Sequence, residues 1–158
     1  MKIEEVMLEM RDGIRLQNFT YIPSAEGPFP SLLACCIYGT EKMDAKAKFW
    51  VEKGYVIVLQ NVRGRHKSEG GPVSRDMRPE DGYDTMEWIV NQPWSNKLIG
   101  TIGGSFLARI QIANALLAPH PAHCAMVPEV LPYGRNSRLG GAFMFSQIPQ
   151  WMYMTQSG

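Results

Sequence analysis

Apolar positions along this chain fall into two kinds of pattern. The first is the continuous run: "SLLACCI" (31–37) and "YVIVLQN" (55–61) carry almost no polar breaks, as strands covered on both faces require. Between them "DAKAKFWVEKG" (44–54) reads as a short helix stopped by Gly54, a residue suited to the left-handed turn that ends a helix. The second is the periodic segment. "PEDGYDTMEWIVNQ" (79–92) places Tyr83, Met86, Ile89 and Val90 at helical spacing. "LIGTIGG" (98–104) reads as a strand, "SFLARIQIANALLA" (105–118) as the helix that follows, and "CAMVPEV" (124–130) as one more strand. At the start, "EEVMLEM" (4–10) and "IRLQNFTYI" (14–22) flank the hairpin signal Asp12–Gly13. "PSAEGPFP" and "RGRHKSEGG" are loops by composition. An antiparallel opening hairpin followed by strand–helix alternation predicts an α/β sandwich, a largely parallel sheet with helices on both faces. This core is expected over residues 1–132. From residue 133 to 158, "YGRNSRLGGAFMFSQIPQWMYMTQSG" follows no period, and the chain reaches Gly158 with no helix cap or strand partner in view.

Composition narrows this picture only slightly. A chain of 158 residues with 45% hydrophobic content has the length of one globular domain able to bury a core. Its net charge of +1 gives no reason to expect a nucleic acid as partner. In "RGRHKSEGG" the few basic residues are followed at once by an acid, so a solvated loop is expected there. No apolar run approaches the roughly 20 residues that span a bilayer. The opening "MKIEEVMLEMRDG" has charges where a signal peptide needs its apolar centre, so a cytoplasmic location is expected. Cys35, Cys36 and Cys124 form no disulfide framework and no C-x-x-C. Cys35 and Cys36 read as small buried hydrophobes.

Candidate chemistry centres on "GTIGGSFLARIQ" (100–111), where a strand ends in two glycines, a serine and a helix. A nucleophile elbow turns so sharply that the neighbours of its serine must be small. Gly103 meets this two residues before Ser105, but Leu107 breaks G-x-S-x-G, and the next small residue is Ala108. In an elbow the helix N-terminus would offer the Phe106 N–H to a developing oxyanion. An ordinary tight turn fits the same residues. Phosphate binding fits poorly, for the Lys of a P-loop and the spacing of G-x-G-x-x-G are both missing. Tyr38–Gly39 follows "SLLACCI" directly, in the loop that supplies the other half of an oxyanion hole in α/β-hydrolases. Tyr38 could equally cap the strand.

The segments "MRDGIRL", "GPFPSLLACCIYGT", "KGYVIVLQNVRGRHKSEG", "DGYDTMEWIVNQPWSNKLIGTIGGSFLA" and "GGAF" occur in an order that resembles the N-terminal catalytic segment of the Xaa-Pro dipeptidyl-peptidase and cocaine esterase family. The resemblance runs from about Met10 to Phe143. It implies an α/β-hydrolase fold, of which this chain would be the N-terminal part, with residues 133–158 beginning a helical cap. Carried over by position, it implies Ser105 as the acylated nucleophile, the Tyr38 hydroxyl as an oxyanion donor and the Phe106 N–H as the second. The implied substrates are small acyl esters, amides or peptides, with no metal or organic cofactor. Departures from the family pattern are Phe106 for a tyrosine, Ala108 for a glycine, Asn61 for an aspartate and His66 for a small residue. Asn61 would remove a charge near Arg63 and Arg65, a change expected to be structural.

A serine of this kind needs a base and an acid, in the chain order Ser, Asp or Glu, His. After Ser105 the one acid is Glu129, and no histidine follows it. His120 and His123 lie at the far end of the helix that Ser105 begins, about 21 Å away for about 14 helical residues. Their H-x-x-H spacing lacks a third metal ligand. The chain is therefore expected to be the first part of a longer hydrolase, inactive alone, with "CAMVPEV" left as an open apolar edge. The alternative is a non-catalytic hydrolase remnant, an interaction module whose exposed edge and Met- and Trp-rich tail dock on a partner.

Overall fold

The computed structural model describes residues 1–71 and 78–131, together with two short strands at Arg138–Leu139 and Ala142–Phe143. The chain opens with β1 (Lys2–Glu9) and β2 (Arg15–Ile22), paired antiparallel around the Asp12–Gly13 turn. β3 (Phe29–Cys36) leads through a 3-10 turn (Thr40–Met43) into α1 (Asp44–Glu52). Then come β4 (Val56–Asn61), α2 (Pro79–Val90), β5 (Ser95–Gly104), α3 (Phe106–Leu117) and β6 (His123–Glu129). The first six strands form one sheet in the order β1-β2-β4-β3-β5-β6. β2 meets β4 antiparallel, and β4, β3, β5 and β6 run parallel. The expected hairpin and parallel sheet are both present. β7 (Arg138–Leu139) and β8 (Ala142–Phe143) pair antiparallel with each other. The rest of 133–158, where a helical cap was expected, lies outside the described residues.

Strand alternation explains why β3 and β4 read as unbroken apolar runs. Side chains two apart share a face, so Leu32, Ala34 and Cys36 of β3 join Ile57 and Leu59 of β4 in one cluster. Leu33, Cys35 and Ile37 join Val56 and Val58 in the other. α1 closes the first face with Ala47 and Val51. α2 and α3 close the second with Met86, Ile89, Phe106 and Ile110. Burial pushes the Cys35 thiol up to about 12, so it is a protonated, inert part of this core.

One expectation holds only in part. The basic loop after β4 exposes His66, Lys67, Gly70 and Gly71, but its two arginines are engaged by the fold. Arg65 is only 5% exposed and donates from Nε to the Ile37 carbonyl at 2.9 Å. Arg63 forks onto Asp81 at 2.6 and 2.7 Å and reaches Asp12 at 2.8 Å. Lys67 pairs with Glu5, and Glu69 with Arg15. Composition reports only that charges are present, whereas these guanidinium groups find partners on the hairpin, on α2 and at the end of β3, all distant in sequence. Asn61 is buried and donates to Gln17 Oε1 at 2.8 Å. The carboxylates facing Arg63 thus come from Asp12 and Asp81, not from position 61.

Candidate active site

The parallel strands end on one side of the sheet, and there β5 passes into α3. Ser105 sits at the junction with φ 57° and ψ −116°, between Gly104 and the first helical residue, Phe106. A non-glycine residue with that backbone costs about 1–3 kcal/mol and persists only if its surroundings hold it there. The Ser105 N–H donates to the Glu129 carbonyl of β6 at 3.0 Å, and the Arg109 N–H donates back to the Ser105 carbonyl at 3.3 Å. Gly103 has φ +128°, and a Cβ there would lie 2.6 Å from Leu107 Cδ2 and 2.7 Å from Leu107 Cβ. Two residues before the serine, the rule that its neighbours be small is met at Gly103 for a reason that can be named.

Tyr38 comes from the loop after β3. Its hydroxyl lies 3.3 Å from Ser105 Oγ, within hydrogen-bond reach across 67 residues of chain. Both side chains are half-buried. The turn behind the tyrosine is braced by Cys36, whose Sγ accepts the Tyr38 N–H at 3.4 Å and donates to the Gly39 carbonyl at 3.5 Å. Burial raises the Cys36 thiol, keeping it protonated and able to donate. Gly39 has φ +99°, a value that glycine adopts without a Cβ penalty. Reading the sequence assigned Cys36 to packing alone. Its position as the last residue of β3 was the available sign that it could reach the loop.

Phe106 buries its ring in the second core cluster, and its backbone N–H belongs to the first turn of α3. Ala108 is fully buried against the sheet. Neither substitution removes the backbone N–H at the head of α3. None of the three histidines hydrogen-bonds Ser105. His120 Nδ1 accepts the Ala122 N–H, and its Nε2 lies 3.1 Å from Glu87 Oε2. His123 Nε2 meets the Thr101 hydroxyl at 2.9 Å, and burial holds its imidazole below the usual value. His66 lines an open cavity of about 620 Å³ beside Thr40, Glu41 and Asn61. The H-x-x-H pair is thus divided between separate partners.

Strand order, a strained serine between strand and helix, and a tyrosine from the loop after the third strand define an α/β-hydrolase core. Known proteins agree. The profile of the X-Pro dipeptidyl-peptidase (S15) family matches residues 12–158. The cocaine esterase of Rhodococcus sp. (strain MB1 Bresler) is 38% identical over 114 residues, 67% of this chain and 20% of that protein. A CocE/NonD family hydrolase from Staphylococcus aureus superposes with a TM-score of 0.84 at 30% identity, covering 98% of this chain and 33% of its own. An α-amino acid ester hydrolase superposes with a TM-score of 0.74 at 30% identity, covering 88% of this chain and 26% of its own. The chain belongs to the X-Pro dipeptidyl-peptidase (S15) family of hydrolases. It spans about a fifth of the length of the cocaine esterase it matches. No helix among the described residues is long and apolar enough to cross a membrane.

Proposed function

We propose that Ser105 is the nucleophile of a serine hydrolase that cleaves small acyl esters, amides or peptides through an acyl-enzyme. One observation carries the reading: the Tyr38 hydroxyl 3.3 Å from Ser105 Oγ, at a strained strand-to-helix junction. Attack of Oγ on the acyl carbon forms the C–O bond and places negative charge on the carbonyl oxygen. The Tyr38 hydroxyl and the Phe106 N–H donate to that oxygen, with the positive end of α3 behind them. Collapse expels the alkoxide or amine, and water then releases the acid. The serine proton must pass to a base, and a seryl hydroxyl without one is a poor nucleophile at neutral pH. The reading therefore assigns acid and histidine to sequence outside these 158 residues, and no turnover to the chain alone. It divides the chain into a core over 1–132 and the start of a cap over 133–158, in a cytoplasmic enzyme.

The test is a fluorophosphonate probe applied to the complete gene product, alongside Ser105→Ala. The coding sequence is first read past codon 158. Rapid labelling of the wild type, abolished by Ser105→Ala, is expected. Absence of wild-type labelling would favour the second reading, a non-catalytic hydrolase remnant that binds a partner. That alternative draws on the apolar surface around β6, where Met126, Val127, Val130 and Leu131 are exposed beside Leu116 and Leu117.

A further inference from the structure

Gln111 lies in the middle of α3 and is 2% exposed. A buried primary amide whose polar atoms lack partners costs about 1–3 kcal/mol, and this one is bonded at both ends. Its Nε2 donates to the Gly103 carbonyl at 2.9 Å. Its Oε1 accepts the Val127 N–H at 3.1 Å and the Thr101 hydroxyl at 3.3 Å. One helical side chain thus ties together the end of β5, the body of β5 and the edge strand β6. The Gly103 carbonyl belongs to the residue with φ +128°, two positions before Ser105. Among the described residues no other side chain hydrogen-bonds the backbone of 103–105. The backbone itself is tied by the pairing of Gly103 and Gly104 with Pro128 and Glu129 of β6, and by the bonds Ser105 N–H to Glu129 and Arg109 N–H to Ser105.

We infer that Gln111 is a positioning residue for Ser105. It fixes the Gly103 carbonyl, and so the path of the backbone into the serine, which keeps Oγ within reach of the Tyr38 hydroxyl. An apolar side chain of the same size would fill the space equally well, but only a donor can hold that carbonyl. The inference rests on the reading of Ser105 as nucleophile.

Three variants of the complete gene product test it. Gln111→Met keeps volume and removes all the bonds. Gln111→Leu also removes all the bonds, with a shorter and stiffer apolar side chain. Thr101→Val removes a partner of Gln111 and leaves the Gly103 bond. For each, kcat and KM are measured on p-nitrophenyl butyrate, with the fluorophosphonate inactivation rate and the urea midpoint. Both Gln111 variants should lose about 10- to 100-fold in kcat and in inactivation rate, the scale of a displaced reacting group, with KM within about twofold. Thr101→Val should shift the urea midpoint while kcat stays within about twofold of wild type. Wild-type kcat in a folded Gln111 variant overturns the inference. So does an equal loss of kcat in Thr101→Val, or failure of both Gln111 variants to fold, which would make the residue purely structural. A wild type that is neither labelled nor active overturns the Ser105 reading first and this one with it.

Discussion

Gly103→Ala perturbs the junction where strand, serine and helix meet, and its cost can be worked from the geometry. The residue has φ +128°, where an alanine pays about 1–3 kcal/mol in backbone strain. The new methyl would sit 2.6 Å from Leu107 Cδ2, 3.2 Å from Cγ and 2.7 Å from Cβ. Cδ2 can swing away, but Cβ is tied to the helix backbone, so overpacking adds about 1–3 kcal/mol. The sum, about 2–6 kcal/mol, is a large share of the roughly 5–15 kcal/mol that holds a domain folded. The assay is the urea midpoint of the complete gene product carrying Gly103→Ala, Leu107→Ala or both. Leu107→Ala alone should cost about 2–5 kcal/mol, since its side chain is 5% exposed. In the double variant the Cδ2 and Cγ overlaps vanish while φ and the Cβ overlap remain. The two changes should therefore be less than additive by about 1 kcal/mol. A Gly103→Ala loss below about 0.5 kcal/mol would refute the argument, because the backbone would then have relaxed without cost.

Two further outcomes are expected. Tyr38→Phe removes the hydroxyl 3.3 Å from Ser105 Oγ and should lower kcat about 100- to 1000-fold, as for loss of one oxyanion donor, with the urea midpoint little changed; wild-type kcat would exclude the hydroxyl from the reaction. Acid should loosen the fold. Bonds to Lys67, Arg63, Lys48, Arg15 and His120 hold Glu5, Asp12, Asp44, Glu69 and Glu87 below the usual carboxylate range. With folded values lowered, their contribution is complete above the unfolded values near about 4 and is lost as pH falls through the folded ones. Asp81 works in the opposite sense, because burial raises it despite Arg63. The urea midpoint should hold between pH 7 and 5 and drop below pH 4; an unchanged midpoint at pH 3 would count against these pairs.

Much of the framework was legible in the order of residues. β3 and β4 are covered on both faces, and an unbroken apolar run is what that environment demands of any sequence. Met86 and Ile89 sit on the buried stripe of α2 where a period of 3.6 places them. Gly103 and Ser105 lie two apart, so the junction they make is a local matter of backbone geometry. Hydrophobic pattern and local turn chemistry record which face of an element is hidden and where the chain must bend. These the sequence by itself determined. Apart from Tyr38 and Ser105, paired there by the family resemblance, it could not say which distant groups meet. Tyr38 reaches Ser105, Gln111 reaches Gly103 and Val127, and Arg63 reaches Asp12 and Asp81 only because strand order and register bring their elements together. Each bond joins polar groups whose one-dimensional neighbours carry no trace of the partner. The same register that brings the Tyr38 hydroxyl to Ser105 leaves His120 with Glu87 and His123 with Thr101. Helix length alone set these two histidines far from Ser105; which partners they take was decided by the tertiary structure, because hydrogen bonding depends on positions in space and not on separation along the chain.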